Sequence, residues 1–419
     1  MGLDEKKDGA KRRRRYSLLF FAYLIIYDCF VVNRLAPWRL SDVTRSVFAV
    51  DYSYGFASKL LPGAVYNLIV GSRASETLAT LWAVALLLAV FAGTSLLLGR
   101  FVERVGPEHR VSALVLSTVL LSGAYTFSVF VRWPGLLDTA WLLFTILFLV
   151  CLGQRRLRFF IPVIFALSLL IHFSALVFYL TIFSVLILYR ISAVPEKREK
   201  TELWIIFAVS MAVTAGLFSF LILNESRMIV PMEEFHKKLS ERGCDYYFYW
   251  DYSFFRVWGD VPFSPASVNA EPPSLMKFFR LFYYQLVLCK GLFERDPPMS
   301  LINTLGGAAV LAPAVVFVES FHLRRLREKG GGLKRFCAFL MAAQFPFVFF
   351  LGILFAMGID MTRYYTHAFL PMLICLFYVL YTDESARTEF FGKMRRLKGS
   401  AQAVIWFIAY AAVALDPSF

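Results

Sequence analysis

Between residues 16 and 416 the chain is a succession of apolar runs, most of them close to bilayer-crossing length, separated by short clusters of Lys and Arg. A bilayer core takes roughly 20 apolar residues per helix, and lipid offers backbone amides and carbonyls no partner outside their own segment. Such a chain has one economical solution, an all-α, polytopic transmembrane helix bundle. Composition agrees, because 58% hydrophobic and 18% charged residues leave too little polar surface for a soluble domain of 419 residues. The net charge of +14 would suit nucleic acid if it were gathered in one basic domain, but it is scattered between spans, which makes it a topology signal instead. Six cysteines (Cys29, Cys151, Cys244, Cys289, Cys337, Cys375) fall mostly inside or beside apolar runs without metal-type spacing and read as small hydrophobes.

Cytoplasmic loops carry the excess of Lys and Arg, so the block Lys11 to Arg15 places the amino terminus in the cytoplasm. Residues 1–15 read as a basic cytoplasmic tail and 16–419 as a single integral membrane domain. The basic block and following run imitate a signal peptide, but the run is as long as a full span and lacks a small-residue cleavage site. The expected spans are 16–34, 77–98, 111–131 and 139–153, then 203–223, 300–321, 336–356, 366–382 and 402–416. Residues 159–189 are ambiguous, with Arg158 before them and Arg190, Lys197, Arg198 and Lys200 after. One tilted helix would put one basic cluster outside. Two short helices meeting near His172-Phe173-Ser174 keep both inside and are preferred. About eleven helices result, with the carboxyl terminus extracytoplasmic.

Two external loops stand out, 35–76 and 224–299. The first holds the stretch after Gly55, too short and interrupted to span and suited to the interface. The second holds Tyr246-Tyr247-Phe248-Tyr249-Trp250 and an aromatic-rich stretch from Lys277 to Leu292. Such residues anchor at headgroup depth or stack on sugar rings. The sequence contains no internal repeat.

Charges in or beside the outer leaflet are costly, so each is a functional candidate. Asp51 and Asp42 are candidates to take a proton from an acceptor hydroxyl, each with helix capping as the alternative. Arg363, Arg132, His172 and Asp360 are candidates to bind the substrate, the arginines through its phosphate, and Asp138 is a candidate to ligate a divalent metal, Mg or Mn. Packing or local pairing is the alternative for each, and Asp28 inside the first span reads as satisfied by a neighbouring helix. Carboxylates with Arg and His beside an apolar wall suit an enzyme acting on a lipid-linked phosphate. A transporter or flippase of a lipid-linked sugar, or a membrane acyltransferase using an intramembrane His, are the competing classes.

This order of parts resembles the GT-C superfamily of membrane glycosyltransferases. The resemblance rests on Asp51 or Asp42 in the first external loop, the interfacial stretch after Gly55, Asp138 in the next loop, residues 224–299, and Arg363-Tyr364-Tyr365-Thr366-His367-Ala368-Phe369-Leu370-Pro371 late in the chain. Asp138-Thr139, Gln154-Arg155-Arg156-Leu157-Arg158 and Leu170 to Ala175 are similar to the central region of Wzy-type and EpsG-like polysaccharide polymerases. Both resemblances imply transfer of a sugar or glycan from a polyprenyl-phosphate or polyprenyl-diphosphate carrier to a glycan, lipid or protein acceptor outside the cytoplasm. The first implies that the loop-1 carboxylate is the base. No Asp-X-Asp pair occurs in either early loop, so any metal rests on Asp138.

Overall fold

The computed structural model describes residues 3–32, 40, 42–72, 75–122, 126–127, 130, 137–224, 230–244, 274, 276–277, 280, 297–326, 331–356 and 361–396. In order these give α1 (Leu3–Ile26), α2 (Asp42–Ala49), α3 (Leu61–Val70), α4 (Glu76–Val105), α5 (Arg110–Ser122), α6 (Leu137–Gly153), α7 (Ile161–Ile171), α8 (Thr181–Ala193) and α9 (Lys197–Asn224). They continue with α10 (Met232–Glu241), α11 (Pro297–Arg325), α12 (Gly332–Ala356), α13 (Met361–Thr382) and α14 (Glu384–Arg396). Among the described residues there is no β-strand.

Five stretches, Glu76–Val105, Leu176–Ala193, Lys197–Asn224, Gly332–Phe350 and Tyr365–Thr382, are long and apolar enough to cross a membrane. Large apolar side chains such as Ile205 and Val209 on α9, and Phe347 and Phe350 on α12, stay exposed. Patches of that kind are unfavourable in water and ordinary against lipid. The fold is that of a helical membrane protein.

Helix boundaries follow local chemistry. Ser75 caps α4 by accepting from the Leu78 amide, with Glu76 in the first turn where the helix dipole favours a negative charge. The basic residues expected to lie in a tail and in loops are largely helical: α1 begins at Leu3 rather than 16, α4 runs to Val105, and α14 fills part of what reads in the sequence as a basic loop. Charged residues with good helix propensity prolong a span beyond its apolar stretch. Gly99 lets α1 and α4 approach closely, since a Cβ there would sit 2.2 Å from the Ser17 hydroxyl oxygen.

The ambiguous stretch 159–189 breaks in two. α7 ends at Ile171, the chain turns extended at His172, and a π-helical turn (Leu176–Leu180) leads into α8. His172 Nδ1 accepts from the Ser174 amide at 3.1 Å and lies 2.7 Å from the Ser174 hydroxyl, satisfying a donor that the break exposes. The two ends then return to one place: Arg158 Nη2 and Arg190 Nη2 reach the same oxygen of Glu199, at 2.6 and 3.2 Å. An unbroken helix would set Arg158 and Arg190 about 48 Å apart.

Other helix ends join the same face. Arg325 at the end of α11, Lys334 at the start of α12 and the Tyr189 hydroxyl on α8 all converge on Asp383, after α13, at 2.6, 2.9 and 3.2 Å. Arg104 of α4 lies over Tyr381, His109 before α5 stacks on Phe391 of α14, and Arg110 lies over Tyr16 of α1. Burial raises the Asp383 pKa, but the Ala386 amide, Lys334 and Arg325 outweigh it, so the carboxyl titrates well below its usual range. Asp383→Ala removes the carboxylate that the buried Arg325 shares with Lys334, so we expect a loss of about 3 kcal/mol. Thermal unfolding in detergent checks this, with Glu234→Ala, which breaks the half-exposed Glu234–Lys238 pair, leaving the midpoint nearly unchanged.

Candidate functional site

Residues 42–70 fold as a small platform at the opposite end of the bundle from the basic ends. Phe48 of α2 stacks on Tyr66 of α3 at 5.5 Å, and Tyr66 meets Trp82 of α4 edge-on. Gly63 is required because a Cβ would fall 1.6 Å from the Val50 carbonyl oxygen. Two backbone bonds seat the platform: Lys59 N–H donates to the Leu170 carbonyl at the end of α7 (2.8 Å), and Val230 N–H donates to the Tyr54 carbonyl (3.0 Å).

Asp51 is the polar centre of this platform and is buried. One carboxylate oxygen accepts from the Ser53 amide (2.8 Å), capping the short helical turn Tyr52–Tyr54, and the other accepts from Asn67 Nδ2 (2.5 Å) and Arg242 Nη1 (2.8 Å). Arg242, just after α10, also donates to the Ala49 carbonyl (3.0 Å) and the Ser53 hydroxyl (3.1 Å), and lies over the Tyr54 ring. Burial pushes the Asp51 pKa up, but the Arg242 bond and charge together with Ser53 prevail, and the net shift is downward. A carboxylate with three donors and a lowered pKa is a weak proton acceptor. Geometry therefore favours capping and attachment of α10 for Asp51.

The second cluster lies where α6, α13 and the π-helical turn before α8 meet. Asp138 in the first turn of α6 places Oδ1 3.4 Å from His367 Nε2 on α13, and the Tyr179 hydroxyl lies 3.2 Å from His367 Nδ1. All three side chains are buried: Asp138 is 4% exposed, His367 3% and Tyr179 1%. Phe178 stacks on the imidazole at 4.8 Å, and Trp141 meets it edge-on at 5.4 Å. His172 packs edge-on against the same Trp141 at 5.8 Å. With the ring proton on Nε2, facing the Asp138 carboxylate, Nδ1 accepts from the Tyr179 hydroxyl, and the imidazole is oriented at both nitrogens.

Of the residues singled out in the sequence, Asp138 and His172 come together around Trp141, while Asp51 sits in the platform that Lys59 joins to the α7 end. Asp42 is the first residue of α2, and Arg363 lies on α13 four residues before His367, so both are placed by backbone position only. Asp28 is fully buried in the π-helical turn Tyr27–Val32 that ends the first helix. Arg132, Asp360, the span 402–416, the aromatic run 246–250 and most of 277–292 lie outside the described residues. His367, Tyr179, Asn67 and Arg242 were not singled out. His367 did stand inside the Arg363–Pro371 motif, and a lone His in an apolar run is the signal that finds it.

Among the described residues no three His, Cys, Asp or Glu side chains converge on one point. The partner nearest the Asp138 carboxylate among the described contacts is the His367 imidazole, and Mg and Mn prefer an oxygen-rich shell.

Fold and site together define a helical membrane protein with a charge-paired basic face at one end and a platform over a buried Asp-His-Tyr cluster at the other. No protein-family model, curated protein or solved structure matches the chain.

Because its folded pKa is below the ordinary carboxylate value, Asp51 stabilises the platform at any pH above about 4, and that contribution is lost as pH falls through the lowered value. Residues 232–244 should resist limited proteolysis at pH 5–8 and become susceptible only in stronger acid. Asp51→Asn should show the acid-like cleavage already at neutral pH.

Proposed function

We propose that the protein is a membrane transferase moving a sugar or glycan from a polyprenyl-phosphate or polyprenyl-diphosphate carrier to an acceptor hydroxyl, at the extracytoplasmic face opposite the basic helix ends. The supporting observation is the His367 imidazole held between the Asp138 carboxylate and the Tyr179 hydroxyl, in an aromatic enclosure at that end of the bundle. An imidazole oriented by a carboxylate is the arrangement that accepts a proton from an attacking hydroxyl. The acceptor oxygen bonds to the anomeric carbon as the bond from that carbon to the carrier phosphate breaks. The acceptor's proton passes through the Tyr179 hydroxyl to His367 Nδ1, and the Asp138 carboxylate stabilises the resulting imidazolium. The phosphorylated carrier leaves with the bonding pair.

In this reading Asp51, the loop-1 acid that the family resemblance names as base, is a positioning residue, and Arg363 and Arg132 remain the proposed phosphate contacts. Burial of the Asp138–His367 pair beside apolar side chains also suits acyl transfer to a hydroxyl, which is the second reading.

Transfer from radiolabelled polyprenyl-phosphate and polyprenyl-diphosphate sugars in proteoliposomes tests the proposal, with acyl donors run in parallel. His367→Ala and Asp138→Asn should lower turnover roughly 10²–10⁴-fold in folded, inserted protein. Asp51→Asn should mainly alter KM. Full glycosyl transfer by folded His367→Ala contradicts the assignment of the base. Product from acyl donors alone establishes the second reading, and carrier movement across the bilayer without product makes the protein a transporter.

A further inference from the structure

A cavity of about 900 Å³ opens between α4, α6 and α13 on the side of the basic helix ends, well away from Asp51. Its walls are mostly apolar, with Leu97, Ile146, Leu149, Ile374 and Phe377 interrupted by Thr94 and Thr145. Its mouth is basic: Arg13, Arg100, Arg104 and Arg190 face it against a single glutamate, Glu103. Arg190 is held by Glu199 and Arg104 rests on Tyr381, whereas the Arg13 and Arg100 side chains have no hydrogen bond or ion pair to another described residue. At the far end Leu142 follows Asp138 by four residues and Leu370 follows His367 by three, so the apolar space reaches within a helical turn of the buried cluster.

We infer that this cavity binds an anionic phospholipid of the bilayer, with the lipid phosphate on Arg100, Arg104 and Arg13 and a hydrocarbon chain along Leu97, Ile146 and Leu149. A chamber that is mostly apolar along its length and cationic at one rim matches an amphiphile with a negative head and a long tail. Arginine forks pair with phosphate oxygens through two parallel bonds, and basic pockets between membrane helices hold anionic lipid heads. A soluble anion would satisfy the rim and leave the walls unused, and a zwitterionic lipid would fill the walls without net attraction at the rim. The inference rests on the cavity and its charge and does not depend on the reaction proposed above.

Native mass spectrometry and thermal unfolding of the full-length protein in detergent test it, with phosphatidylglycerol, phosphatidylcholine or inorganic phosphate added. Phosphatidylglycerol should remain bound and raise the unfolding midpoint, and the other two should not. Arg100→Gln combined with Arg104→Gln should weaken phosphatidylglycerol binding roughly tenfold or more. Leu149→Trp, which fills the wall and leaves the rim intact, should weaken it as well. Equal binding of phosphatidylcholine, an equal midpoint shift from inorganic phosphate alone, or undiminished phosphatidylglycerol binding by either variant overturns the inference.

Discussion

Glu199 accepts from two arginines that stand 32 positions apart in sequence, and the course of the remaining chain depends on that meeting. With Arg158 and Arg190 on one carboxylate, the apolar stretch between them has to go into the bundle and come back, and α9 starts again from the same face. Arg158 is only 2% exposed, and its charge is tolerable there because Glu199 and Glu202 face it and the Leu152 carbonyl accepts from its Nε. The Asp383 node does the equivalent for α8, α11, α12 and α13. Ion pairs therefore tie helix ends together at the basic face, while the spans between them pack by apolar contact.

Turning the chain back at His172 has a consequence at the other end. It creates a corner where the Leu170 carbonyl receives the Lys59 amide of the platform, and where Trp141 is flanked by His172 on one side and His367 on the other. The π-helical turn after the corner brings Phe178 and Tyr179 to the His367 ring. The helix break, the docking of the first loop and the buried cluster are thus parts of one arrangement. The two acids stand in opposite surroundings: Asp51 accepts from Ser53, Asn67 and Arg242, whereas Asp138 faces an imidazole.

Much of the fold was legible because hydropathy and basic clusters are local signals. The described apolar helices fall where the runs of apolar residues do, and the break in 159–189 was readable from Arg158 and Arg190 both being basic. Helix ends were less legible, since Lys11 to Arg15 and Arg100 to Arg104 read as loop charges yet continue α1 and α4. The site was legible only in part. Asp51 stood out as an acid in an outer loop, but its role depends on Arg242, 191 positions later, and no sequence spacing reveals that contact. Asp138 and His172 were visible as polar residues at span ends. His367 was visible as a lone histidine in an apolar run, but its pairing with Asp138, 229 positions earlier, has no signal in sequence spacing.

Sidedness decides which compartment the basic face and the platform each meet, and cysteine accessibility measures it most directly. In a chain with its native cysteines replaced, single cysteines at Arg156 and Ala193 flank the α7–α8 hairpin, and single cysteines at Ser53 and Lys237 mark the platform. In sealed vesicles of known orientation, a membrane-impermeant thiol reagent should label the first two from the same side and the last two from the other. Labelling of Arg156→Cys and Ala193→Cys from opposite sides would mean that residues 159–189 cross the membrane once. It would separate the basic face from itself and contradict the account.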